Sequence, residues 1–278
     1  MAFLPLASQA GRVHVCAHRG HSVATPENTL PALEAAAAHG ATVAEIDIVL
    51  TRDDRIAVLH DEILDRTTDG RGRVSALDFA EVQRLDAGAW FSPVFKGTRV
   101  LALEEALAVA RTNSMGLLIE IKERQRPGMM IECLARLLMA ENAFDDVLVI
   151  SFDHASLVRL KDRLPAIRTE LITHARHADP VATAERAGAA SVAIEWDMYE
   201  AEDAMALHAA GIAVRVTIPR PERLALRRQY GFDDDQRLAA HLAAGHIDVL
   251  AGDDAAYLSQ LVDAPGPNAR SVRRSSSG

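Results

Sequence analysis

Residues 41–61 read ATVAEIDIVLTRDDRIAVLHD, and this stretch decides which fold we predict for the chain. Apolar residues such as Ile46 and Ile48 predict a strand that is buried on both faces. Glu45 and Asp47 are the exceptions in this strand. Because side chains two positions apart share one face of a strand, both carboxylates should project to the same side. Either a hard cation such as Mg²⁺ or Ca²⁺ lies between them, or they are exposed acids on an edge strand.

Length and composition limit the class of protein. A chain of 278 residues with 49% hydrophobic residues can bury one large core or two small ones. The formal charge of −9 argues against a general nucleic-acid binder, because phosphate backbones require clustered Lys and Arg. Any anionic partner should therefore be a small molecule that meets positive charge locally.

Cysteines and apolar runs indicate the compartment. Cys16 and Cys133 stand in apolar surroundings and are interpreted as reduced core residues, without a disulfide framework. The N-terminal MAFLPLASQAG lacks the basic region of a signal peptide, and no stretch approaches the length of a membrane span. We expect a soluble cytoplasmic protein with no stable membrane insertion.

The apolar pattern predicts eight main strands with helices between them. The strands are 13–17, 43–49, 115–122, 147–151, 169–173, 191–195, 212–218 and 247–251. The helices are 26–40, 103–111, 129–140, 154–163, 180–187, 200–210 and 235–244, the first starting at Pro26 and Glu27 and stopping at Gly40. This alternation predicts an α/β fold, a TIM (β/α)₈ barrel. An open doubly wound sheet is disfavoured because no Gly-rich dinucleotide or phosphate-loop motif follows the first strand.

We predict that residues 1–265 form a single barrel domain. Residues 62–99, rich in Gly, Asp and aromatics, break the alternation and are interpreted as an excursion over the barrel mouth, because long connections are usually functional. Residues 266–278 include the Ser- and Arg-rich RSVRRSSSG and are predicted to be a disordered tail.

Polar side chains cluster at the predicted strand ends, where parallel barrels build their sites. They are His18, Arg19, Glu45, Asp47, His60, Glu120 and Lys122. The three carboxylates could hold one divalent cation, Arg19 and Lys122 could meet phosphate oxygens, and the two histidines could act as general acid and base. Phosphodiester cleavage needs these functions together, because the transition state requires positive charge, the attacking hydroxyl must lose a proton and the leaving alkoxide must gain one. Considered one at a time, these residues have simpler alternative roles. Lys122 could serve just to neutralise Glu120, and Arg19 could serve just to hold a loop in place.

Five motifs follow one another in this half of the chain. In order they are His18-Arg19-Gly20, Pro26-Glu27-Asn28-Thr29, Glu45-x-Asp47, His60-Asp61 followed by Arg66-Thr67-Thr68, and Glu120-Ile121-Lys122. Together they resemble the glycerophosphodiester phosphodiesterase family. The resemblance implies a TIM barrel with a small insertion after the second strand, which residues 62–99 would fill.

For the site, the resemblance implies one divalent ion, Mg²⁺ or Ca²⁺, held by the three carboxylates, with His18 and His60 as the acid/base pair in an order left open. It places Arg19 and Lys122 on the phosphate and Glu27 near the site. The family's reaction releases glycerol 3-phosphate and an alcohol, by attack of the substrate's own glycerol hydroxyl and opening of a cyclic phosphate by water.

The second half departs from the family's pattern. Relatives carry Trp-Thr-Val-Asn at the seventh main strand where this chain has 216–219, VTIP, and they favour Thr-Asp where it has 251–253, AGD. Trp196 could replace the missing aromatic over the glycerol, or it could be packing. The long loop 220–236 could hold a more acidic substrate or present a solvated helix face through Arg220, Arg223, Arg227 and Arg228. Its residues 233–235 should start and cap the next helix.

The leading hypothesis is metal-dependent hydrolysis of glycerophosphodiesters, with a small-molecule substrate and no nucleic-acid partner. Alternatives are a phosphodiesterase that uses the same site on a lysophospholipid or a more acidic diester, a barrel that only binds phosphate or metal, and a metal-dependent lyase acting on an oxo acid. A lyase would leave the strand-end histidines unexplained. The sequence leaves homodimerisation open.

Overall fold

The strands form one sheet that closes into a barrel in the computed structural model, which describes residues 5–264. The sheet order is β1-β9-β8-β7-β6-β5-β4-β2-β3, and a further pairing of β1 with β2 closes the ring. The strands are β1 His14–Ala17, β2 Val43–Leu50, β3 Ile56–Val58, β4 Gly116–Ile121, β5 Val147–Ser151, β6 Thr169–Ile172, β7 Ser191–Glu195, β8 Ala213–Thr217 and β9 Val249–Gly252. All ring pairings are parallel, so the predicted TIM (β/α)₈ barrel is confirmed.

Strand β3 is the one strand of this sheet outside the ring. It pairs with β2 antiparallel after a tight turn in which Asp54 has a φ of 57°. The pairing extends β2 beyond the ring and brings His60, two residues after the end of β3, back toward the barrel's C-terminal end.

Helices follow the ring strands and cover the barrel, except that α1 precedes the first strand and α3 lies within residues 62–99. They are α1 Ala7–Ala10, α2 Leu30–Ala38, α3 Phe79–Val82, α4 Leu103–Thr112, α5 Pro127–Ala140, α6 His154–Arg163, α7 Pro180–Ala187, α8 Ala201–Ala209, α9 Pro221–Gln229, α10 Asp234–Ala243 and α11 Ala255–Asp263. Short 3₁₀ turns lie at Val74–Ala76, Pro93–Phe95 and Trp196–Met198.

Alternation along β2 separates two parts of the core. Ile46 and Ile48 pack outward with the helices in the main hydrophobic cluster. Val43 packs inward with residues such as Cys16 and Leu118 in a small cluster that fills the barrel interior. Since side chains alternate along a strand, the positions two and four residues after Val43 also face inward, and these carry the acids.

Residues 62–99 contain no strand longer than a single bridge and pack on a small core of their own. That core includes Leu64, Val74, Phe79 and Val82 and continues onto β2 and β3. The excursion therefore lies against the extended end of β2. The single-domain assignment of 1–265 stays a prediction, and the predicted tail 266–278 lies outside the described residues.

The structure differs from the element predictions at several places. The first helix begins at Leu30 rather than at Pro26, because Asn28 takes a left-handed φ of 59° and Thr29 is the extended residue that precedes the helix. The expected loop 220–236 contains α9, whose start at Pro221 is typical of a first helical turn. Helix α11 was not predicted.

The cysteine prediction is confirmed, since Cys16 and Cys133 are both free and buried. Burial raises the pKa of the Cys16 thiol to about 12, so it is a packing residue rather than a nucleophile. Within residues 5–264 no helix has the length and apolarity needed to cross a bilayer. The cytoplasmic location stays a prediction.

Candidate active site

The turn after β1 is tightly built. Arg19 and Gly20 have φ values of 58° and 82°, and a Cβ on Gly20 would lie 2.6 Å from the backbone of Ala32. Only glycine fits there without displacing the first crossover helix. The turn places His18 at the barrel mouth and directs the Arg19 backbone N–H to Glu45 Oε2 at 3.0 Å.

Three predicted metal ligands lie together inside the barrel. The register of β2 with β4 pairs Asp47 with Glu120, and Glu45 lies two residues earlier on the same inward face. One oxygen of each lies within 4.8 Å of the others, and none of the three residues is more than 6% exposed. Asn28 fixes Asp47 by donating from Nδ2 to Oδ2 at 2.8 Å and accepting the Asp47 N–H at 3.1 Å.

The acidic cluster fits a divalent cation. Within residues 5–264, Glu45 Oε1 and Asp47 Oδ1 are buried and receive no hydrogen bond, an arrangement that costs free energy unless something else meets them. Burial, followed by the charge of Asp47, raises the pKa of Glu45 to about 7. A hard cation with oxygen ligands would satisfy both orphaned oxygens and relieve the repulsion, so the three carboxylates could hold one.

Two cations border the acids. Arg19 Nε lies 3.3 Å from Asp47 Oδ2, and its Nη1 donates to Glu27 Oε1 at 2.8 Å. Lys122 Nζ lies 2.5 Å from Glu120 Oε1 and 3.4 Å from Asp47 Oδ1. The site therefore presents fixed positive charge beside its metal-binding oxygens, which suits a substrate that carries a phosphate.

Each predicted catalytic histidine is held by a neighbouring carboxylate. His18 Nδ1 lies 2.7 Å from Asp253 Oδ1, and Arg220 donates to the other oxygen of Asp253 at 2.6 Å. His60 Nδ1 lies 2.6 Å from Asp61 Oδ1. Both rings are thus oriented through Nδ1, which leaves Nε2 of each as the atom available for proton transfer.

The pairing of His18 with Asp253 shifts both pKa values. Burial alone would lower the pKa of His18, but the hydrogen bond to Asp253 and the charge of Glu45 raise it above its ordinary 6.5. Burial alone would raise the pKa of Asp253, but His18 and Arg220 hold it well below its usual range. The dyad therefore favours a charged imidazolium next to a carboxylate that stays ionised.

These groups line a cavity of about 300 Å³ at the C-terminal end of the barrel. The charged half comes from β1, β2, β4 and the segment after β3, and comprises His18, Arg19, Glu45, His60, Glu120 and Lys122. The opposite half, from β5 to β7, is largely apolar and includes Ile150, Phe152 and Ile172. Asp47 is fully buried beneath the charged half. The polar residues that we predicted at strand ends in the first half of the chain therefore lie together at one cavity.

Two predicted substrate contacts do not line this cavity. Glu27 accepts hydrogen bonds from Arg19 and Arg66, so it holds the surrounding arginines in place. Trp196 is 2% exposed, donates from Nε1 to Asp234 at 2.8 Å, and has Arg237 over its ring. It borders a neighbouring cleft with little of its surface, and its role as an aromatic wall stays a prediction.

Sequence reasoning missed a buried ion pair at the floor of the cavity. Arg215 on β8 donates from Nε to Glu170 Oε1 on β6 at 2.8 Å, and Ser191 donates to the other oxygen at 2.7 Å. The signal was available, because a charged residue inside a predicted buried strand is what singled out Glu45. Phe152 and His174 were also missed, and Asp253 was named only within a departure from the family's pattern, although each directly follows a strand or lies within two residues of its end.

The fold and the site define the class of this protein. It is a TIM-barrel protein whose acids, histidines and cations meet at the C-terminal ends of the first strands, where barrel enzymes carry their active sites. The Glycerophosphoryl diester phosphodiesterase family matches residues 18–234. The chain belongs to this family, as its motifs predicted.

Relatives in sequence and in structure agree with this assignment. The chain is 37% identical over 160 residues to a glycerophosphodiester phosphodiesterase of Caldanaerobacter subterraneus, which covers 57% of this chain and 65% of the relative. An Oleispira antarctica phosphodiesterase, solved in complex with the product sn-glycerol-3-phosphate, is 27% identical with a TM-score of 0.79, covering 92% of this chain and 99% of that one. A glycerophosphodiester phosphodiesterase of Agrobacterium tumefaciens is 27% identical with a TM-score of 0.73, covering 89% and 99%. The matches to these and other curated relatives span between 34% and 66% of the relatives' own lengths.

Proposed function

We propose that this protein hydrolyses glycerophosphodiesters to glycerol 3-phosphate and an alcohol. The observation that carries the proposal is the convergence of three buried carboxylates, two carboxylate-oriented histidines and two cations on one cavity. The Oleispira antarctica relative binds sn-glycerol-3-phosphate as product, which supports the same substrate class here.

Glu45, Asp47 and Glu120 are the residues that would hold one divalent cation, either Mg²⁺ or Ca²⁺. When bound, the ion would supply positive charge beside the phosphate oxygens and so favour the dianionic transition state. The two buried oxygens support this part of the proposal, since within residues 5–264 neither accepts a hydrogen bond and Lys122 Nζ comes no closer than 3.4 Å to Asp47 Oδ1.

His18 and His60 would move the protons. The hydroxyl that attacks phosphorus must lose a proton, and the alkoxide that leaves must gain one, so a base and an acid are both needed. Each histidine has Nδ1 engaged by a carboxylate and Nε2 available, so either ring can serve in either role. We assign the pair and leave the order open.

Arg19 and Lys122 would bind the phosphate. Both lie at the rim of the acidic cluster with 18% and 14% of their side chains exposed, so their charges reach the cavity without being fully solvated. Partial burial strengthens a charge-assisted hydrogen bond to a phosphate oxygen. Glu27 would position Arg19 from behind.

The test is release of glycerol 3-phosphate from glycerophosphocholine and glycerophosphoethanolamine, with and without EDTA. Wild type is compared with His18→Ala and Glu45→Ala, and with Glu185→Ala, whose side chain is exposed on α7. We expect turnover that EDTA abolishes, that both site variants lose and that the control keeps. A folded, metal-loaded wild type that turns over neither substrate would refute the proposal.

A further inference from the structure

A second cleft opens beside the catalytic cavity. It has a volume of about 480 Å³ and shares His18, Glu195 and Thr217 with the cavity, so the two are continuous. A diester held at the acidic cluster has two substituents on phosphorus, and the catalytic cavity of about 300 Å³ is at the lower end of the range for small-molecule sites. The side cleft is the adjoining space that the second alcohol can enter.

We propose that this side cleft binds the leaving alcohol and favours alcohols that carry a negative charge, an inference that rests on the proposed function. Arg220, which precedes α9, and Arg223 on α9 line one side of the cleft, and Asp197 lines it with a small part of Trp196. Helix α9 lies in the region where the sequence departs from the family's pattern, so this preference would belong to this chain.

The acids of the cleft are already engaged. Glu195 pairs with His174 at 2.7 Å, outside the cleft. Asp253 pairs with His18 and, at 2.6 Å, with Arg220. Glu195 and Asp253, which could repel an anionic ligand, are therefore each paired with an imidazole or a guanidinium group. Asp197, the third acid of the cleft, is paired with Arg227.

Arg223 supplies the unused donors. Its side chain is 67% exposed, and its nearest carboxylate oxygen is Asp197 Oδ2 at 3.8 Å. Asp197 is held more closely by Arg227 at 2.8 Å. Within residues 5–264, the Arg223 side chain makes no hydrogen bond, and the Arg220 side chain donates only from Nε, so both guanidinium groups that line the cleft keep donors free of a hydrogen-bond partner. A carboxylate or phosphate on the alcohol could accept from them in a bidentate arrangement.

Glycerophosphoserine and glycerophosphoethanolamine test the idea, because their alcohols differ by one carboxylate. We expect wild type to show a higher kcat/KM for glycerophosphoserine. Arg223→Ala should lower kcat/KM for this substrate by about tenfold, the effect of losing one charge-assisted hydrogen bond at a partly solvated site, and should affect glycerophosphoethanolamine much less because its alcohol has no carboxylate. The preference for glycerophosphoserine should therefore fall by about the same factor in the variant.

Arg228→Ala is the matched control. Arg228 lies on the same helix, is 60% exposed and pairs with Asp235, outside the cleft. A substitution of Arg220 would not isolate the cleft, because Arg220 also donates a hydrogen bond to Asp253, the partner of His18. Equal kcat/KM for both substrates in wild type, or an equal loss on both in Arg223→Ala, would overturn the inference while leaving the proposed function in place. Failure of wild type to hydrolyse either substrate would refute the proposed function itself.

Discussion

The acidic cluster makes the stability of the metal-free protein depend on pH through Glu45. Burial and the charge of Asp47 raise the pKa of Glu45 from 4.5 to about 7 in the folded state. Because the folded state holds this proton more tightly than the unfolded state, the stabilising contribution is complete below pH 4.5 and is lost as pH rises through 7. At about 1.4 kcal/mol for each pH unit, the loss amounts to about 3 kcal/mol.

The perturbation is Glu45→Gln, studied in the presence of a chelator. Glutamine keeps the shape of the side chain and can still accept the Arg19 N–H, but it cannot ionise. Between pH 4.5 and 8 we expect the free energy of unfolding of the variant to rise relative to wild type by about 3 kcal/mol. Urea unfolding at each pH measures it, and Glu185→Gln, on the exposed face of α7, should show no such trend.

Metal addition provides the second half of this test. At pH 8, an ion at one hundred times its dissociation constant should stabilise wild type by about 2.7 kcal/mol, and Glu45→Gln much less at the same concentration. A difference between the two proteins that stays constant from pH 4.5 to 8 would refute the view that Glu45 is forced into a dry acidic cluster. An equal response of both to Mg²⁺ and Ca²⁺ would refute its role as a ligand.

Three further outcomes are expected. His60→Ala should lower kcat by about 10²–10⁴-fold at an unchanged melting temperature, since its side chain is 28% exposed; unaltered glycerol 3-phosphate release would contradict this. Gly20→Ala should cost about 1–3 kcal/mol more than Gly72→Ala in urea unfolding, because both have positive φ but only Gly20 has backbone 2.6 Å from the added Cβ; equal losses would argue against the clash. Glu170→Ala should cost about 3–5 kcal/mol by leaving Arg215 buried and unpaired, and adding Arg215→Met should recover much of that loss; no recovery in the double variant would count against the ion pair as the cause.

The sequence predicted the barrel because its evidence was local and repeated. Strand β2 illustrates this, since a period of two fixed the faces of Glu45 and Asp47 before any contact was known. The start of α2 was predicted wrongly because the contact that decides it is not local. Pro26 is a good first helical residue, but Asn28 is needed in a left-handed conformation to hold Asp47, and that demand comes from another strand.

Residue types and their spacing determined the fold class, the family and the set of polar residues in the first half of the chain. Only the tertiary structure determined which other side chains pair with these polar residues and orient them. Asp253 lies 235 positions after His18, and Arg215 lies 45 after Glu170, so no local pattern links either pair. Closure of the barrel places the last strand beside the first, and residues of both pairs then lie around the same cavity. Alternation along a strand is a property of the backbone and is written in sequence, whereas contact between distant strands depends on how the whole ring closes.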